Sequence, residues 1–178
     1  MRNPMLFSPS GFPALIGQNP CNPQAGRFAQ PAGCAMLRAG GFEMSFTPYL
    51  HFQGNCAEAM AFYAEVFGGK LTIRRYSEMP DAPPELAKSP LVMNALLMAS
   101  MGMMMASDYP PGTEGAPQAS VTVSHFEPDA PAAKAVFDRL MQGGEEIMAF
   151  APTFWSPGFG MGKDRFGTHW MISVPGAM

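Results

Sequence analysis

The stretch Gln53-Gly54-Asn55-Cys56-Ala57-Glu58-Ala59-Met60-Ala61-Phe62-Tyr63-Ala64-Glu65-Val66-Phe67-Gly68-Gly69 decides the fold, because the chain says it twice. Asn55 is suited to cap a helix, and Glu58 three residues on completes a capping box. Apolar residues at 59, 60, 63, 66 and 67 fall on one stripe of that helix. Gly68-Gly69 ends it, since glycine accepts the left-handed conformation. The second copy runs from Asp129 to Gly144. Asp129 is its cap, Pro131 lies in its first turn, and Ala133, Val136, Phe137, Leu140 and Met141 make its stripe. Ala61–Gly69 and Val136–Gly144 superpose at a constant offset of 75 residues, phenylalanine on phenylalanine and Gly-Gly on Gly-Gly.

A strand precedes each helix: Phe46–Gln53 before the first, Ser120–Glu127 before the second. Three β-like runs follow each. After the first helix they are Lys70–Ser77, Leu91–Ala99 and Met101–Ser107. After the second they are Glu145–Ala149, Phe154–Lys163 and Thr168–Val174. One helix per four strands excludes a doubly wound parallel sheet, where each strand needs its own crossover helix. The pattern predicts an α+β chain with a curved mixed sheet. Alternation separates the two sides. Leu50 and Phe52 oppose Thr47, Tyr49 and His51. Val121 and Val123 oppose Ser120, Thr122 and Ser124. Trp170, Ile172 and Val174 oppose His169, Met171 and Ser173. The apolar sets are expected under the helices, and the half-polar sets on a concave ligand-binding face.

Residues 1–43 are different material. They hold six of the 19 prolines and six of the 19 glycines, but one acid, Glu43. Proline or glycine breaks every run, so the segment reads as a disordered extension ahead of one domain at 44–178, with modules at about 44–110 and 117–178. Over all 178 residues the chain is 47% hydrophobic and 14% charged, with net charge −3. That balance supports a core and argues against a nucleic-acid partner, which calls for a basic face. No window approaches the roughly 18 consecutive apolar residues of a membrane helix. Three cysteines, an odd count, suit a reducing cytoplasmic setting.

Tyr49-Leu50-His51-Phe52-Gln53-Gly54-Asn55-Cys56-Ala57-Glu58-Ala59 is one anchor of a resemblance. Thr153-Phe154-Trp155-Ser156-Pro157-Gly158-Phe159-Gly160 with Asp164-Arg165-Phe166-Gly167-Thr168-His169-Trp170-Met171 is the other. Together they resemble the PhnB-like branch of the glyoxalase/bleomycin-resistance superfamily, also called vicinal oxygen chelate, over 46–174. The resemblance implies paired βαβββ modules around a cup-shaped cleft, in a homodimer. It also implies either enzymes that use a divalent metal to stabilise an enolate or orient vicinal oxygens, or proteins that only bind a ligand. The branch carries the label 3-demethylubiquinone methyltransferase. The sequence argues against that activity: the one glycine-rich candidate, Gly158 to Gly162, precedes a hairpin rather than a helix and reads as a tight turn.

In metal-binding relatives the ligands come from the first, fourth, fifth and eighth strands. By register those positions fall at Thr47, near Ser120 and at Met171, with no carboxylate or imidazole in Met101–Ser107. Hydroxyls and thioethers are poor ligands for Zn, Ni, Mn or Fe ions. The expectation is a metal-independent protein that takes a small aromatic or hydrophobic ligand, with no cofactor. Its wall would be Tyr49, His51, Trp155, Phe159 and His169, and His51 is the candidate acid–base residue. The alternative is a lyase, isomerase or dioxygenase with a displaced metal site at His51 and His169, joined by Asp108 or Asp164. His125 reads as surface, Cys56 as packing and Arg165 as a solvated turn. Phe154, Trp155 and Phe159 are expected to cluster with Trp170. Met101, Met103, Met104 and Met105 read as strand packing and dimer contact, and Met79–Pro90 as a possible lid.

Overall fold

The computed structural model describes residues 46–100 and 102–176, all within one compact unit, Ser45–Met178. The extension at 1–43 lies outside the described residues. The elements run β1 (Tyr49–Phe52), α1 (Cys56–Phe67), β2 (Lys70–Arg75), β3 (Val92–Ala99), β4 (Gly102–Asp108), β5 (Val123–Phe126), α2 (Ala130–Leu140), β6 (Glu145–Ala151), β7 (Phe159–Lys163) and β8 (His169–Ser173). This is the βαβββ grammar twice.

Each module builds its own four-stranded mixed sheet, β1-β4-β3-β2 and β5-β8-β7-β6. In both, the first strand runs parallel to the last and the other pairings are antiparallel. The repeat extends beyond the helices. Tyr49 pairs with Met105 and Ser124 with Met171, so the 75-residue offset carries β1 onto β5. It also carries Lys70, the first residue of β2, onto Glu145, the first of β6.

The predicted faces of β1 and β8 hold, but Val121, expected under the helices, lies outside β5 and is exposed. Leu50 and Phe52 are buried, while Tyr49 and His51 are exposed. Trp170, Ile172 and Val174 are buried in the same core. Met104 faces that core too, and Met103 and Met105 alternate to the other face. On α1 the buried side includes Phe62, off the predicted stripe, because the second module reaches it. Arg165 lies in an exposed turn, as its sequence suggests, and its guanidinium stacks 4.2 Å from the Phe62 ring and 4.8 Å from the Phe166 ring.

Several local expectations are corrected. Asn55 makes no side-chain capping bond; Asp108, at the end of β4, caps α1 instead. Its Oδ1 accepts from the Gly54 N–H at 2.8 Å and the Cys56 N–H at 3.0 Å, and its Oδ2 from the Val92 N–H at 2.8 Å. Asp129 does cap α2, accepting from the Ala132 N–H at 2.8 Å. Strand β5 begins at Val123, which leaves Ser120 outside it in a left-handed turn at φ +60°.

Gly160 and Gly162 are strand residues rather than a turn. A side chain on Gly160 would meet the Phe137 ring at 2.8 Å, and one on Gly162 would meet Met141, so the glycines let β7 lie close under α2. The aromatic cluster divides. Trp170 is core, packed on Tyr63 and Phe67, whereas Phe154 and Trp155 are exposed and Phe159, on the face opposite α2, is buried against Trp155. His125 is on the covered side of β5, its ring 4.8 Å from that of Phe67.

Candidate functional site

The pairing of β1 with β4 assembles a polar patch on the uncovered face of the first sheet. Alternation turns Tyr49 and His51 away from α1, and the parallel β1–β4 register sets Ser107 beside His51. Ser107 Oγ lies 3.3 Å from His51 Nδ1. The His51 ring sits between two phenols: Tyr49 at 5.0 Å, tilted, and Tyr109 at 5.0 Å, stacked. The backbone fixes Tyr109, whose N–H donates to the Phe52 carbonyl at 2.9 Å. Tyr76 stands close by; burial, then the neighbouring Tyr49 and Asp108, raise its phenol above the ordinary range. An imidazole held between aromatic rings beside a hydroxyl offers a flat ligand a stacking surface and one hydrogen-bonding nitrogen.

The second sheet presents its own uncovered face. Trp155 meets Phe159 edge-on at 5.7 Å and Phe154 at 4.5 Å. His169 pairs with Lys163 across β7 and β8, and its Nδ1 is buried without a hydrogen-bond partner. Thus Tyr49 and His51 stand together, as do Trp155 and Phe159, but on separate sheets. Sequence reasoning missed Tyr109 and Ser107. Only the pairing of β1 with β4, fifty residues away, brings them to His51.

A profile of the Glyoxalase/Bleomycin resistance protein/Dioxygenase superfamily matches residues 46–172. The chain belongs to this superfamily. Protein YjdN of Escherichia coli K12 is 31% identical over 142 residues, covering 74% of this chain and 95% of that protein. Protein PA1353 from Pseudomonas aeruginosa is 32% identical with a TM-score of 0.68, covering 74% of this chain and 98% of that one. The putative 3-demethylubiquinone-9 3-methyltransferase, PhnB protein, from Bacillus cereus shares the fold at TM-score 0.58 and 23% identity, covering 74% and 99%. The chain has the paired-module glyoxalase fold of these relatives.

The superfamily's metal chemistry finds poor donors here. Thr47 stands just before β1, Met103 and Met105 face outward on β4, and Met171 lies opposite Ser124. Among the described residues no three His, Cys, Asp or Glu side chains converge. Both carboxylates considered for a displaced site serve protein donors. Asp108 caps α1, and Asp164 accepts from the Tyr63 hydroxyl at 2.6 Å, the Trp170 indole at 2.7 Å and the N–H groups of Phe166 and Thr168. These residues do not suit a divalent ion. Cys56 is no nucleophile. It is fully buried, and burial, then the Asp108 charge, push its thiol up to about 12.

Proposed function

We propose that this chain is a metal-independent small-molecule-binding protein of the glyoxalase/bleomycin-resistance type. The observation that supports it most is His51 held between Tyr49 and Tyr109 on an uncovered sheet face. An aromatic wall with one convergent polar group is the usual lining of a ligand site. Trp155, Phe159 and His169 supply a second wall from the other sheet. The uncovered faces also carry Met98, Phe126 and Met148, all exposed. Apolar surface of that kind favours a homodimer in which the sheet of one protomer closes over the other's, completing the cleft. The methyltransferase label finds no support in Gly158 to Gly162, because Gly160 and Gly162 serve helix packing. None of the described helices is long and apolar enough to cross a membrane. A reducing cytoplasmic setting is part of the same reading.

The test is metal content by mass spectrometry on the full chain after incubation with Zn²⁺, Ni²⁺, Mn²⁺ and Fe²⁺ and desalting. It is followed by thermal-shift titration with flat heteroaromatic fragments. Far less than one ion per chain, with fragment-induced shifts that vanish in Tyr109→Ala and His51→Ala, is the expected result. Near one tightly held ion per chain, lost in His51→Ala or His169→Ala, overturns the reading in favour of a metal-dependent enzyme.

A further inference from the structure

Strand β5 breaks the internal repeat on its covered side. The offset that carries Tyr49 onto Ser124 carries Leu50 onto His125 and Phe52 onto Glu127. Leu50 and Phe52 are 4% and 3% exposed and belong to the core. Their counterparts are an imidazole and a carboxylate joined at 2.8 Å, Nε2 to Oε1, with side chains 16% and 22% exposed. A half-buried polar pair where the repeat places core residues costs stability, and departures of that kind concentrate at functional sites.

The pair borders a cavity of about 530 Å³ at the seam between the modules, within the size range of small-molecule sites. The start of β1, the β3–β4 turn, the end of α1 and β5 enclose it. Phe67, Met104, Val123 and Trp170 supply apolar wall, and among the described residues His125 and Glu127 are the only ionisable side chains lining it. A carboxylate has no proton to give, so His125 Nε2 donates to Glu127 Oε1, and the carboxylate keeps further acceptor sites for a ligand. Among the described residues neither Lys nor Arg lines the cavity, so an anionic ligand would meet the Glu127 charge with no Lys or Arg beside it. A neutral ring bearing one O–H donor matches both halves of the lining. The ring lies on Phe67, Trp170 and Met104, and the hydroxyl donates to the dyad.

We infer that the seam cavity is a second binding site, separate from the Tyr49–His51–Tyr109 patch, for small phenol-class ligands, with the His125–Glu127 pair as the hydrogen-bonding partner.

The experiment uses the full chain carrying Trp155→Phe. Trp170, on the cavity wall, is then the sole tryptophan reporting by fluorescence. The probes are p-cresol, toluene and p-toluate. Saturable change with p-cresol, at least several-fold weaker binding of toluene and none of p-toluate is expected. His125→Gln or Glu127→Gln should weaken p-cresol about tenfold, the size of one hydrogen bond to a charged pair. Val123→Phe, which narrows the cavity beside His125, should weaken p-cresol binding several-fold and serves if the dyad variants do not fold. Three results overturn the inference: no response to p-cresol in the folded protein, unchanged affinity in folded Val123→Phe or His125→Gln, or loss of p-cresol binding in His51→Ala. The last would move the ligand to the sheet face.

Discussion

The Tyr63 hydroxyl donates to Asp164 Oδ2 at 2.6 Å and so ties helix α1 of the first module to the β7–β8 turn of the second, 101 residues on. Thr168 Oγ1 lies 3.0 Å from the same phenol, and the Trp170 indole shares the same carboxylate oxygen. Asp164 is 3% exposed, and all its identified partners are donors. It therefore works as the acceptor at the centre of the module junction.

Removing Tyr63's hydroxyl and removing Asp164's carboxylate should have very different costs. Tyr63→Phe takes one donor from an acceptor that keeps three others, at a cost of about 1–2 kcal/mol. Asp164→Ala strands a buried indole N–H and two backbone N–H groups, at about 3 kcal/mol or more. Urea unfolding of the two variants measures both. Equal losses would mean that the carboxylate does not organise the junction.

The remote cap of α1 gives a second contrast. Asn55→Ala should change stability by less than about 0.5 kcal/mol, since its side chain makes no capping bond. Asp108→Asn should cost about 1–3 kcal/mol, because its amide turns a donor toward one of the N–H groups of Gly54, Cys56 or Val92. The urea midpoints of the two variants decide it. A larger loss in Asn55→Ala would restore the local capping box.

Those two pairs mark the limit of what the sequence alone discloses. Periodicity and the repeat of Ala61–Gly69 at Val136–Gly144 yield both helices, the module grammar and the faces of β1 and β8, because all are local or internally duplicated signals. Asn55 followed by Glu58 is a sound local cap signal. It is overruled by Asp108, which the parallel β1–β4 pairing delivers from 52 residues beyond Cys56. The same pairing conceals Ser107 and Tyr109 from a linear reading of the site. His125 is misjudged as surface although the alternation that places Val123 on the covered face of β5 carries His125 there too, because an imidazole near a strand end reads as exposed on its own. Its ring packs on Phe67, which packs in turn on Trp170.

The glycines of β7 are a packing device that a single methyl group should disturb. Gly160→Ala places its Cβ 2.8 Å from the Phe137 ring in a fully packed interior. Overpacking of this kind costs about 1–3 kcal/mol. Phe137→Leu should destabilise the native chain yet recover part of the loss in Gly160→Ala. A double-mutant cycle by thermal denaturation reads that coupling. Strictly additive effects would show that β7 and α2 do not press together there.

Alkaline pH should loosen the molecule before acid chemistry at either sheet face is touched. Burial, then the Asp108 charge, push the Cys56 thiol up to about 12 from an ordinary 9.0. Burial, then the Asp164 charge and hydrogen bond, raise the Tyr63 phenol above its ordinary 10.0. Both groups hold their protons more tightly folded than unfolded, so their contribution is fully present below pH 9 and is lost as pH rises through the folded values. Each group removes about 1.4 kcal/mol per pH unit within its window. Stability from urea unfolding should therefore fall progressively between pH 9 and about 12, with a shallower slope in Cys56→Ala, where one of the two protons is missing. A flat curve across that range, or an identical slope in the variant, would show that the unfolded chain does not release these protons ahead of the folded one.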